Sequence, residues 1–76
     1  MTDTRKLIAD VLNIPQDRIN DDLHIKNTVE WDSLKHMELI LAIEQTCSIE
    51  LSGDDIADMT SYPSIKTVLA RYGITS

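Results

Sequence analysis

Residues 31–46 read Trp31-Asp32-Ser33-Leu34-Lys35-His36-Met37-Glu38-Leu39-Ile40-Leu41-Ala42-Ile43-Glu44-Gln45-Thr46. Asp32 has the form of a helix N-cap, because its carboxylate can accept hydrogen bonds from N–H groups of a first turn. The apolar run behind it predicts a helix from Ser33 to about Thr46, with the Ser33 hydroxyl pointing outward from that turn. A helix start presents unpaired N–H donors and the positive end of the macrodipole. A phosphate on Ser33 would be well placed there.

Projected at 100° per residue, Leu39, Ala42, Ile43 and Thr46 fall on one side, the expected core face. Leu34, Met37 and Leu41 fall nearly opposite, flanked by Glu38, Glu44 and Gln45. An apolar stripe facing away from the core needs either a cover or a partner. Two readings stay open: the preceding loop covers it, or it is a docking stripe with an acidic rim beside Ser33.

On the N-terminal side, Thr2-Asp3-Thr4 supplies cap candidates, and Leu7, Ile8, Val11 and Leu12 form one helical stripe. A first helix is expected from about residue 4 to Leu12, ended by Asn13 and kept from continuing by Pro15. Residues 13–31 are a long connection whose Ile14, Ile19, Leu23, Ile25 and Val29 follow neither period, with Asn20-Asp21-Asp22 as a turn or short-helix start. A loop this long in a small domain tends to be functional, and its scattered Ile and Leu residues are expected to pin it to the helices. On the C-terminal side, Ser52 can cap a brief helix, Gly53–Met59, with Asp54 and Asp55 in its first turn and Ile56 and Met59 inward. Ser64 is the cap expected for a last helix carrying Ile65, Val68, Leu69 and Tyr72, and Gly73 ends it. The expected fold is all-α: a four-helix bundle with a long first loop and a short third helix, one domain over residues 1–76.

Composition narrows function. The net charge of −6 and pI near 4.5 argue against nucleic acid and anionic membrane surfaces, and favour partners with basic patches. The core stock is aliphatic, ten Ile and eight Leu with no Phe and a single Trp, which packs readily with few shape constraints. Cys47 is the only cysteine, so no internal disulfide forms. Residues 1–6 lack the form of a signal peptide, and no apolar run approaches the roughly 20 residues of a membrane span. A soluble, cytoplasmic monomer without membrane insertion is expected.

The chain carries no Gly-rich phosphate loop, no Gly-x-Ser-x-Gly elbow and no Cys-x-x-Cys pair. Asp54, Asp55 and Asp58 read as caps and solvated charges rather than a metal site. His24 and His36 are too isolated for a ligand set; His36 reads as a helix-surface or core-edge residue, though it could reach a phosphate on Ser33. Cys47 reads as a small residue closing the inward row, and Trp31 as a brace between loop and bundle. One helix-entrance serine leaves no evident room for both a base and an oxyanion hole, so Ser33 points to a site that another enzyme modifies.

Asp32-Ser33-Leu34 at a helix entrance, the Glu-rich second helix and Tyr62-Pro63-Ser64-Ile65 at the last helix resemble acyl and peptidyl carrier proteins over nearly the whole chain. The resemblance implies that Ser33, between Asp32 and Leu34, carries a 4′-phosphopantetheine arm donated by coenzyme A. It implies a non-catalytic carrier that holds acyl or aminoacyl groups as thioesters. Leu34, Met37, Glu38, Leu41 and Glu44 would dock a phosphopantetheinyl transferase, a loading enzyme and a downstream synthase or acyltransferase. Lys35, Trp31 and Cys47 depart from the fatty-acid pattern, which fits a stand-alone carrier of a dedicated lipid, polyketide or peptide pathway better than housekeeping fatty-acid synthesis. From another class, an unmodified helical adaptor binding through Leu34, Met37 and Leu41 would leave Ser33 dispensable.

Overall fold

The computed structural model describes residues 3–74. In chain order come α1 (Thr4–Leu12), two single 3-10 turns (Gln16–Arg18 and Ile25–Asn27), α2 (Ser33–Cys47), α3 (Gly53–Asp58) and α4 (Tyr62–Arg71). The all-α expectation holds. Among the described residues the only extended pairing is an isolated bridge between His24 and Ser61.

Each helix begins on a short polar cap. Asp3 accepts from the Lys6 N–H at 3.1 Å and starts α1; Thr2, also a cap candidate, lies outside the described residues. Asn13 ends α1 in the left-handed conformation, at φ 58°. Ser52 and Asp55 form a reciprocal capping box on α3, which stops at Asp58, one residue short of expectation, with Met59 as its C-cap. Helix α4 begins earlier than expected. Ser61, not Ser64, is its N-cap, and Ser64 is the third helical residue, closing the box with the Ser61 N–H at 3.0 Å. Pro63 fits inside that first turn because the N–H it lacks would have no helical partner anyway. Gly73 ends α4 as expected: at φ 77° it lets the Ile74 N–H reach back to the Leu69 carbonyl at 3.0 Å.

The core joins Ile8 and Leu12 of α1, Leu39, Ile40 and Ile43 of α2, Ile65, Val68 and Leu69 of α4, and Met59 beyond α3. The inward face of α2 is therefore rotated by about 60° from its projection. Ile40 is buried and Thr46 is exposed, with His36 and Cys47 half-buried along the same row. Burying a larger aliphatic chain while leaving the Thr46 hydroxyl in water is the cheaper arrangement.

Residues 13–31 are ordered by four anchors. Ile14, Ile19, Leu23 and Trp31 enter the core. The Arg5 Nε–H donates to the Gln16 and Ile19 carbonyls at 3.2 and 3.1 Å. Arg18 grips both Glu30 oxygens at 2.8 and 3.2 Å, which holds the Glu30 carboxyl below its ordinary range and raises the guanidinium. The Ile25 N–H donates to the Thr60 carbonyl, and the Tyr62 N–H to Leu23, stitching the loop to the α3–α4 connection. Asn20-Asp21-Asp22 is a turn, closed by the Asp22 N–H on Asn20 Oδ1 at 2.9 Å. Val29, unlike the loop's Ile and Leu residues, does not pack inward; it is 93% exposed. The turn from Thr28 to the Trp31 N–H points those two residues inward and leaves Val29 at the tip.

Candidate functional site

The entrance of α2 is built by local capping. Asp32 takes the extended conformation, and the Lys35 N–H donates to its Oδ1 at 2.8 Å. The His36 N–H donates to the Asp32 carbonyl at 2.8 Å, closing the first turn. Ser33 is the first helical residue and is exposed, its hydroxyl without a hydrogen-bond partner among the described residues. The N–H groups of Ser33 and Leu34 face the open end of the helix, where no intrahelical carbonyl is available.

The stripe beside Ser33 is uncovered. Leu34 is 69%, Met37 49% and Leu41 55% exposed, so the loop does not lie over it. Exposed Val29 stands just upstream in the chain. Of the acidic rim, Glu38 is exposed and pairs with Lys35 at 3.2 Å, so the local charge beside Ser33 is mixed rather than purely negative. Glu44 is half-buried, and its Oε2 accepts from the Leu51 N–H at 2.8 Å. That carboxylate holds the chain as it turns from α2 to α3, a role that nothing in the helical projection signalled.

Two residues near Ser33 turn inward, Trp31 before the cap and His36 in α2. Trp31 is 1% exposed and braces the end of the loop. Its indole N–H donates to His36 Nδ1 at 3.1 Å, and His36 Nε2 meets the Ile56 carbonyl of α3 at 3.0 Å. Both ring nitrogens of His36 are thus engaged inward, away from the Ser33 hydroxyl. His24 caps the second 3-10 turn through its Nδ1, which accepts from the Lys26 N–H. The described residues hold no cluster of His, Cys, Asp or Glu that could bind a metal ion.

Asp55 is the first-turn cap that was expected, but it is not a solvated charge. It is nearly buried, accepts from the Tyr72 hydroxyl and the Ser52 N–H, and pairs with Arg71 at 3.3 Å. The Tyr72 hydrogen bond first, and then Ser52 and Arg71, hold its carboxyl below the ordinary range against the opposing effect of burial. Tyr72 is raised in turn, since ionising the phenol would set two anions together. Asp54 and Asp58 remain exposed. No helix among the described residues is long and apolar enough to cross a membrane.

The arrangement offers an accessible hydroxyl at a positive helix end, an apolar stripe next to it and, among the described residues, no side-chain base hydrogen-bonded to it. That suits covalent modification and docking rather than turnover. Comparison with known proteins agrees. A family model described as the phosphopantetheine attachment site matches residues 3–72. The chain is 29% identical over 68 residues to an acyl carrier protein of Buchnera aphidicola subsp. Baizongia pistaciae, covering 90% of this chain and 87% of that protein. It is 37% identical over 51 residues to an acyl carrier protein of Buchnera aphidicola subsp. Schizaphis graminum, covering 67% and 65%. An acyl carrier protein of Lactobacillus johnsonii is 33% identical over 49 residues, covering 64% and 61%.

Proposed function

The chain belongs to the phosphopantetheine-binding carrier proteins, non-catalytic holders of a covalent 4′-phosphopantetheine, and from that premise we propose that Ser33 takes the arm. The observation that carries this reading is the exposed Ser33 hydroxyl at the first position of α2, between a cap that is already satisfied and an uncovered apolar stripe. The residues fit the group. Asp32 holds the Lys35 N–H through Oδ1 and makes no hydrogen bond to the Ser33 hydroxyl. The open N–H groups of the first turn and the helix dipole favour a phosphodiester at this position.

The arm supplies a thiol that carries an acyl or aminoacyl group as a thioester. The protein supplies address and position. Leu34, Met37 and Leu41, with exposed Glu38 at their rim, would meet a basic, apolar-lined face on the transferase, the loading enzyme and the acceptor enzyme, while Glu44 holds the Leu51 N–H. Tethering raises the local concentration of the carried group at each of these sites.

The finer assignment is one carrier domain over residues 1–76, working as a cytoplasmic monomer in a dedicated biosynthetic pathway rather than housekeeping fatty-acid synthesis. Its support is the Lys35–Glu38 pair, which offsets negative charge next to Ser33, together with Trp31 directly before the Asp-Ser-Leu core.

The test is intact mass after incubation with coenzyme A and a broad-specificity phosphopantetheinyl transferase. The wild-type protein should gain one phosphopantetheine unit and Ser33→Ala none. Gain in Ser33→Ala would move the site elsewhere. No gain in a folded wild-type protein, with several transferases tried, would sink the carrier reading of this chain.

A further inference from the structure

Trp31 and His36 flank Ser33 in sequence, yet both turn inward where Ser33 stays outside. An indole nitrogen can only donate, so His36 Nδ1, 3.1 Å away, must carry a lone pair. The ring proton then sits on Nε2, which donates to the Ile56 carbonyl at 3.0 Å. The two neighbours therefore select one neutral tautomer. The rings lie 5.9 Å apart, tilted by 39°. A continuous line of hydrogen bonds runs from the end of the long loop, through the first turns of α2, into α3.

Helix α3 depends on such ties. It has six residues, too few to be stable on its own hydrogen bonds. On one side Asp55 fastens it to Tyr72 and Arg71 at the end of α4. On the other, the His36–Ile56 bond is the one hydrogen bond between α2 and α3 among the described residues.

We propose that His36 is a positioning residue: as the neutral Nε2–H imidazole it sets α3 against the turn of α2 that bears Ser33, and a proton taken up at Nδ1 opens this joint. The imidazolium has two N–H donors and no acceptor, so the Trp31 N–H faces another N–H. The indole is almost fully buried and cannot turn to water. His36 is half-buried and can. Swinging outward hydrates the cation and relieves the clash of donors, but it also withdraws Nε2–H from Ile56.

The charged groups on the elements that meet here are Asp17, Arg18, Asp21, Asp22, His24, Lys26 and Glu30 of the loop, Asp32, Lys35, Glu38 and Glu44 of the α2 segment, and Asp54, Asp55 and Asp58 of α3. Most have other partners: Glu30 holds Arg18, Asp32 caps α2, Lys35 and Glu38 pair, Glu44 holds Leu51, and Asp55 and Asp58 reach Arg71. None is hydrogen-bonded to the imidazole. A second proton on the ring therefore gains no carboxylate in place of the indole it displaces.

No atom of Ser33 takes part in the two bonds of the joint, so the measurements use the unmodified full chain. Nitrogen-15 spectra should show His36 as the Nε2–H tautomer at neutral pH. As the pH is lowered until the His36 ring takes up its second proton, followed by its own nitrogen-15 signals, three signals should move together with the ring. They are the Trp31 fluorescence, the Trp31 indole N–H resonance, and amide exchange at Ala57, Asp58 and Met59 corrected for its intrinsic pH dependence. Exchange there should speed up about tenfold, as loss of one hydrogen bond implies, while amides of α1 keep their protection. His36→Gln presents an amide oxygen to the indole and an N–H to Ile56 but cannot titrate. It should keep α3 protected and make the Trp31 signals flat over the same range, while His24→Gln leaves the transition in place. An Nδ1–H tautomer, a transition that persists in His36→Gln, or α3 exchange indifferent to the state of His36 would each overturn the proposal.

Discussion

Tyr72 donates its phenolic hydrogen to the Asp55 carboxylate and so binds the last turn of α4 to the first turn of α3. Tyr72→Phe removes the donor and leaves Asp55 with the Ser52 N–H and Arg71. The tie holds the Asp55 carboxyl low and the Tyr72 phenol high. A lowered carboxyl contributes stability above its ordinary range and loses it as pH falls through the folded value; a raised phenol contributes below its ordinary range and loses it as pH rises. The melting temperature of Tyr72→Phe should therefore lie several degrees below wild type at neutral pH, a large shift being usual for so small a domain. The gap should close below about pH 4 and again above about pH 10. Thermal melts across pH check this, and a gap that persists unchanged in acid would refute the assigned role.

The rotation of α2 can be read from three alanine substitutions. Ile43 is fully buried, and Ile43→Ala should cost about 2–5 kcal/mol through lost burial and the cavity left behind. Thr46 is exposed, and Thr46→Ala should fall within about 0.5 kcal/mol of wild type. Ile40→Ala should behave like Ile43→Ala. Urea unfolding at constant slope measures all three, and a large loss at Thr46 would restore the face that the simple projection assigned to the core.

What the sequence made legible follows the range of the interactions. Asp32 as the cap of α2, Asn13 and Gly73 as helix ends, and the outward direction of the Leu34–Met37–Leu41 stripe are all specified within one or two turns of chain, whereas the loop's leaving that stripe uncovered was not. Even the start of α4 was local: Ser61 and Ser64 stand at capping-box spacing, but a serine in place of the usual Glu or Gln hid the pattern. The bonds that place α3 were not legible. Tyr72 reaches Asp55 across 17 residues and His36 reaches Ile56 across 20, and no periodicity encodes such a pairing. Glu44 looked identical to Glu38 in projection because a wheel shows direction and not the chain that folds back upon it.

The cap at Asp32 separates folding from modification. Asp32→Ala leaves the Lys35 N–H without its acceptor and should cost about 0.5–2 kcal/mol, while Asp32→Asn keeps an acceptor oxygen and should cost much less. Ser33→Ala touches no hydrogen bond of the described residues and should unfold with wild type in urea. If Ser33→Ala were as destabilising as Asp32→Ala, its failure to accept an arm would lose its meaning as evidence for the site.

Glu38 and Glu44 should part company under mutation. Glu38 faces solvent with Lys35, so Glu38→Lys should leave the melting temperature nearly unchanged, since exposed pairs contribute little. It should raise the apparent KM of the phosphopantetheinyl transferase several-fold at low ionic strength, an effect that fades as salt screens the encounter. Glu44→Ala removes the acceptor of the Leu51 N–H and should lower the melting temperature instead. Glu44→Gln offers an amide oxygen to the same N–H and should recover most of that loss. Paired melts and steady-state kinetics on the three variants test both halves. Unrecovered stability in Glu44→Gln would remove the structural role of Glu44, and an unchanged KM for Glu38→Lys at low salt would remove Glu38 from the docking face.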